Sequence, residues 1–140
     1  MNQDTIMQTP AQLSSAFKVM PRLGIALTAL VVLFLAFDGI TKVIRLAPVV
    51  EACQKTGIAS DLVAGIGLVL LACTTVYMIP RTAILGAILL TGYLGGAATV
   101  HVIARSGVFP TAFAIGFGVL VWAGLISREP RLLSWIFLRH

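Results

Sequence analysis

Charged side chains are scarce in this chain, and the scarcity limits the kinds of protein it can be. Of the 140 residues, 11% are charged and 59% are hydrophobic, and the mean hydropathy is +1.01. A chain of this length cannot enclose so much apolar surface in a water-soluble core. The composition therefore excludes a soluble globular domain and, with it, a soluble catalytic module.

Residue types that commonly carry chemistry are equally few. The chain has two cysteines without a C-x-x-C spacing, and two histidines, one of them the C-terminal residue. These histidines cannot supply bis-histidine haem ligation within a bundle, and we expect Cys53 and Cys73 to lie too far apart for a disulfide. No phosphate-binding loop, dinucleotide fingerprint or H-E-x-x-H motif is present. The sequence thus identifies no catalytic residue and no metal site, and it requires no cofactor.

Long apolar runs take up most of the chain instead. Residues 82–103 contain no acidic or permanently charged side chain, although four glycines interrupt them. In water such a segment would be a poor helix, whereas hydrocarbon forces every backbone group to bond within its own helix. Three similar runs accompany it. The predicted membrane spans are residues 21–44, 61–79, 82–103 and 110–127.

The connections between these runs predict the arrangement of the helices. Residues 79–82 and 104–110 are short links, so the helices they join must be antiparallel neighbours. The link over 45–60 is longer, with Pro48 as a helix start and Gly57 as a stop. We therefore predict an all-α, integral membrane four-helix up-down bundle with a short interfacial helix between spans one and two.

Sequence outside the spans is assigned to two tails. Residues 1–20 are polar and predict a mobile N-terminal tail before the bundle at 21–128. Residues 129–140 predict an amphipathic tail on the membrane surface, with Trp135 as its interface anchor.

The basic residues indicate orientation rather than a nucleic-acid partner. They flank the apolar runs, where they meet lipid headgroups, so the net charge of +5 does not indicate nucleic acid. Six lie on the side of the N-terminus and four on the other side, and the positive-inside rule then predicts a multi-pass protein with both termini in the cytoplasm. The six are Lys18, Arg22, Arg81, Arg128, Arg131 and Arg139.

Asp38 is the most costly side chain to place in lipid. It lies near the end of the first span, and Lys42 follows one helical turn later at i+4, where an acid and a base pair well. The sequence favours a structural ion pair at this helix end over a ligand or proton site.

His101 is expected at the same depth, because spans one and three run in the same direction. Thr41 and Thr99 share that level. An acid, a base and an imidazole together suit a proton-coupled or polar-headgroup site. Polar and charged side chains also gather wherever the helices of a bundle end at the membrane boundary. The sequence favours this simpler interpretation. The candidate polar site comprises Asp38, Lys42, His101, Thr41 and Thr99.

Three glycines of the third span share one helical face with Thr99. Gly92, Gly95 and Gly96 occupy positions i, i+3 and i+4, and Gly92-x-x-x-Gly96 is the small-residue pattern of close helix packing. We predict that this face packs against a neighbouring helix; the alternative is a slot for a flat ligand.

Four short motifs stand out in the sequence: IPRTA at 79–83, LGA at 85–87, GYLGGA at 92–97 followed by His101, and REPRL at 128–132. With these motifs the chain resembles, over residues 22–132, the DoxX-like family of small bacterial membrane proteins. FDGITK at 37–42 is similar to the family's Phe-Ser-Gly-x-x-Lys segment, except that Asp38 replaces the serine and adds a charge. The resemblance implies a four-helix bundle in the bacterial inner membrane with both ends cytoplasmic.

The resemblance also sets the leading functional hypothesis. The family takes its name from membrane subunits associated with thiosulfate:quinone oxidoreduction, which implies a membrane partner in a quinone-linked or other redox process, with quinone as the candidate cofactor. A small-molecule transporter or exporter, or a structural or assembly protein, are the alternatives. The expected partners are membrane lipids together with a second copy of the chain or a redox partner protein.

Overall fold

The computed structural model describes residues 10–128, with their side chains from residue 22 onward. Within this range the regular secondary structure is all helical, without strands. The predicted C-terminal amphipathic tail lies outside the described residues. The five helices are α1 (Pro10–Val43), α2 (Ala47–Lys55), α3 (Val63–Met78), α4 (Ala83–Ile103) and α5 (Val108–Arg128).

Three of these helices are long and apolar enough to cross a bilayer. They are α4, α5 and the part of α1 from Arg22 to Val43. Apolar side chains point outward along them: Leu33 on α1 is 73% exposed and Val119 on α5 is 64% exposed. The fourth apolar helix, α3, has 16 residues, and at 1.5 Å per residue it is about 24 Å long.

Four helices, which we call the four long helices, pack in a ring around a small apolar core: α1, α3, α4 and α5. Helix α1 packs against α3 and α5, and α4 packs against the same two helices. Val31, Leu70, Leu90 and Val121 contribute one fully buried side chain from each helix. Tyr77 is the largest fully buried side chain, and its hydroxyl donates a hydrogen bond to the Val121 carbonyl oxygen 2.8 Å away. This bond ties α3 to α5 across the core.

Glycines allow close helix crossings, two of which bear on the site. A Cβ at Gly86 would collide with the backbone of Tyr77, so α4 approaches α3 there only because a side chain is absent. A Cβ at Gly67 would lie 2.7 Å from the Cβ of Lys42, which marks the crossing of α3 and α1. The second crossing positions the polar end of α1.

The N-terminal boundary of α1 differs from the prediction. The helix begins at Pro10 rather than at residue 21, so residues 10–20, assigned above to a mobile tail, are helical. Proline is tolerated in the first turn of a helix, and hydropathy alone cannot reveal a helix that continues beyond its apolar part. The other helix ends lie within two residues of the predicted boundaries.

Helices α1 and α4 end in the same way. Arg45 and Arg105 follow them in the left-handed conformation, with φ of 54° and 51°. The next residue then donates a backbone hydrogen bond back to the last turn, from Leu46 to the Thr41 carbonyl and from Ser106 to the His101 carbonyl, each 3.0 Å long. These bonds satisfy carbonyl groups that a helix end leaves free, and they hold the polar last turns of α1 and α4 in place.

Candidate functional site

A cavity of about 770 Å³ lies at the end of the bundle where α1 and α4 terminate. Its walls come from α1, α4 and α5, with Ile66 of α3 contributing at one side, and α2 lies against it. A volume of this size is within the range of small-molecule sites, about 300–1,000 Å³. The cavity combines a polar end with apolar and aromatic walls.

Asp38 and Lys42 form an ion pair in the wall contributed by α1. Lys42 Nζ lies 2.5 Å from Asp38 Oδ1, and the two side chains are 14% and 34% exposed, respectively. The i+4 spacing places both groups on the same face of α1. Gly67 allows α3 to pack directly against the stem of Lys42. Both members of the pair line the cavity.

His101 faces the same cavity from the last turn of α4. Its Nδ1 atom is buried and has no hydrogen-bond partner among the described residues. A buried polar atom without a partner costs about 1–3 kcal/mol, so unpaired atoms of this kind are uncommon and call for an explanation.

Aromatic side chains form another part of the cavity wall. Phe109, Phe113 and Phe117 follow one another along one face of α5, with ring centroids 5.9 and 4.8 Å apart. Phe34 of α1 joins them, its ring 4.4 Å from that of Phe117. Tyr93 of α4 also lines the cavity. Flat apolar faces of this kind suit contact with another ring.

The glycines of α4 do not pack as predicted. A Cβ built at Gly92, Gly95 or Gly96 would meet nothing within 4 Å, so the prediction that they contact a neighbouring helix of this chain is wrong. Their spacing places them on one face but does not reveal what that face meets, and α4 makes its close approach at Gly86 instead. Gly92 and Gly96 border the cavity.

Helix α2 closes the site beside the polar end. The structure forms this helix where the sequence predicted one, with Pro48 in its first turn. One face of it, which includes Val49 and Cys53, lines the cavity. Cys53 is a free thiol, as is the buried Cys73, and burial raises the pKa of the Cys53 thiol above its ordinary value.

The structure brings together three of the five residues proposed for a polar site. Asp38, Lys42 and His101 all line the cavity, whereas Thr41 and Thr99 do not. Thr41 is buried and donates a hydrogen bond to the Asp38 carbonyl oxygen. Thr99 is exposed and donates to the Gly95 carbonyl oxygen.

Sequence reasoning missed the aromatic wall. The i, i+4, i+8 spacing of Phe109, Phe113 and Phe117 was the available signal, but phenylalanines are common in spans and the pattern alone names no partner. In the part of the chain that the structure describes, no group of three or more His, Cys, Asp or Glu side chains is arranged to hold a metal ion.

Comparison with known proteins identifies the family of the chain. The model of the DoxX-like family matches residues 26–124. The chain belongs to the DoxX-like family. The match confirms the resemblance found in the sequence. In this DoxX-like membrane protein the matched residues include all of α2 and the residues that line the cavity. No curated protein and no solved structure matches the chain.

Proposed function

We propose that this DoxX-like protein binds a quinone in the cavity and serves as the membrane partner in a quinone-linked redox process. The observation that carries the proposal is the pairing, in one cavity, of a polar end formed by Asp38, Lys42 and His101 with a wall of phenylalanine rings. A quinone has matching parts: a flat ring, carbonyl oxygens on its edge and an apolar tail.

The polar groups provide hydrogen-bond donors for the carbonyl oxygens. The Lys42 ammonium is a donor that Asp38 holds in position, and His101 lines the cavity, where its imidazole ring can hydrogen-bond to a ligand. The rings of Phe34 and Phe117 offer a face against which the quinone ring can stack. In this account the chain holds the quinone, and a redox partner protein exchanges electrons with it.

The proposal includes an arrangement in the membrane. All four long helices cross the bacterial inner membrane as an up-down bundle, α2 lies at the outer surface and both termini are cytoplasmic. The six-to-four distribution of basic residues supports this orientation. A reporter enzyme that is active only outside the cytoplasm should stay silent when fused after His140 and be active when inserted after Arg105. The reverse pattern would contradict the orientation.

Co-purification tests quinone binding. The protein is purified in mild detergent, its bound lipids are extracted, and quinone is measured per chain by chromatography. Wild type and a Thr99→Ala control should retain quinone, because Thr99 lies outside the cavity lining. The double variant Asp38→Asn with Lys42→Met leaves no unpaired charge, so it should fold and lose the quinone. Equal retention in all three proteins would overturn the proposal, and a stoichiometric protein partner without quinone would indicate the assembly role.

A further inference from the structure

Helix α2 presents one face to the cavity. Four of its residues and the C-cap residue that follows it line the cavity with the spacing i, i+1, i+4, i+5 and i+8, which is one side of a helix. The opposite side carries Glu51, Gln54 and Lys55, which are exposed. The lining positions are Pro48, Val49, Ala52, Cys53 and Thr56.

The attachment of α2 to the bundle is weak. None of its residues is buried, and among the described helices it packs chiefly against α1 through a small contact. A helix of nine residues is too short to be stable without tertiary support, since isolated helices below about 12–15 residues are marginal. Segments with few buried contacts open at the lowest free-energy cost.

The chain turns at both ends of α2. The chain turns through left-handed residues on both sides, Arg45 with φ of 54° and Gly57 with φ of 85°. One hydrogen bond joins the two flanks: Arg45 Nη2 donates to the Ser60 carbonyl oxygen at 3.1 Å. This bond links the two ends of the segment 45–60 and is exposed. We call it the clasp.

We propose that residues 45–60 form a hinged lid over the cavity, that the Arg45–Ser60 hydrogen bond holds the lid closed, and that the ligand enters and leaves by displacement of α2. The identity of the ligand rests on the proposed function, whereas the motion of the lid does not. Opening would separate the face of Val49 and Cys53 from the cavity and expose it to reagents in solution.

Cys53 allows the motion to be measured without a ligand. In a Cys73→Ala background Cys53 is the remaining thiol. It is partly exposed in the structure, and opening of the lid should raise its rate of reaction with N-ethylmaleimide at fixed pH above that baseline. Arg45→Gln removes the clasp. Loss of one hydrogen bond should raise the rate roughly 2- to 10-fold, since such a bond contributes about 0.5–1.5 kcal/mol.

Two further variants keep the result interpretable. Arg45→Asn also removes the clasp but favours the left-handed conformation, so it should show the same acceleration even where Arg45→Gln disturbs the turn. Arg105→Gln is the matched control, because Arg105 occupies the same position after α4 and lies outside the lid. Equal maleimide rates in wild type, both Arg45 variants and the control would overturn the lid.

A short-chain ubiquinone separates the lid from the identity of the ligand. If both proposals hold, the quinone slows the labelling of Cys53 in wild type. Acceleration by the Arg45 variants without any effect of ubiquinone would support the lid and overturn the quinone site. Protection by ubiquinone without acceleration in either Arg45 variant would support the quinone site and overturn the lid.

Discussion

The Lys42 ammonium lies 2.5 Å from the Asp38 carboxylate, one helical turn away on α1 and in the wall of the cavity. Lys42 is the more enclosed member, because α3 packs against its stem at Gly67. Each charge is therefore stabilised mainly by the other, and removing one leaves its partner in a poorly solvated position.

Stability measurements test this interdependence. Asp38→Asn or Lys42→Met alone should lower the free energy of unfolding by roughly 1–3 kcal/mol, because an unpaired charge remains. The double variant should cost less than the sum of the two single changes. Denaturation in detergent gives the free energy of unfolding of wild type, the two single variants and the double variant, which together form a double-mutant cycle. Additive effects would show that the two groups do not stabilise each other.

Binding measurements test His101. If its ring hydrogen-bonds to the ligand, His101→Ala should raise the Kd for short-chain ubiquinone by roughly 2- to 10-fold, the effect of one lost hydrogen bond. The thermal stability should change little, because the lost packing of the ring is offset by removal of a buried nitrogen that has no partner within the described residues. Thr99→Ala, two residues earlier on the exposed side of α4, is the control. An unchanged Kd for His101→Ala would remove this residue from the site.

The open face of α4 predicts a contrast between neighbouring glycines. Gly96 borders the cavity and a Cβ there would meet no protein atom within 4 Å, so the side chain of Gly96→Leu should occupy space that the ligand needs. We expect more than about a tenfold rise in the Kd for ubiquinone, or over 1.4 kcal/mol. Gly95→Leu introduces the same side chain outside the cavity lining and should bind normally. Equal effects of the two substitutions would contradict a ligand beside Gly96.

Close helix packing makes a separate prediction about Gly86. The methyl group of Gly86→Ala would collide with the Tyr77 backbone, so α4 and α3 must move apart, at a cost of about 1–3 kcal/mol. Gly95→Ala on the same helix meets nothing and should be neutral or stabilising by up to about 1 kcal/mol. Thermal unfolding in detergent compares the two. Equal stabilities would mean that α3 and α4 do not touch at this point.

Most of the helices could be predicted from the sequence, because each apolar run needs a helix in lipid. The end of α2 followed from Gly57, which adopts a left-handed φ of 85°. The start of α1 at Pro10 could not be found in this way, since the residues before Arg22 mix polar with apolar side chains and form no long apolar run.

The sequence could predict only those parts of the candidate site that depend on the position of a residue along its helix. Counting residues along two parallel spans was sufficient to bring Asp38 and His101 to one cavity. The role of Gly92 and Gly96 depends on which helix, if any, faces them, and periodicity contains no such information. For the same reason the contact between Phe34 and Phe117 required the packing of α1 against α5.

Photoaffinity labelling tests the proposed quinone site most directly. Purified wild-type protein in mild detergent is irradiated with an azido derivative of a short-chain ubiquinone, and the modified residues are identified by mass spectrometry. The account predicts modification within residues 92–101 of α4 and 109–117 of α5, the walls of the cavity, and loss of that modification when unlabelled ubiquinone is in excess. Modification confined to outward-facing residues such as Leu85 and Val119, unchanged by the competitor, would contradict it.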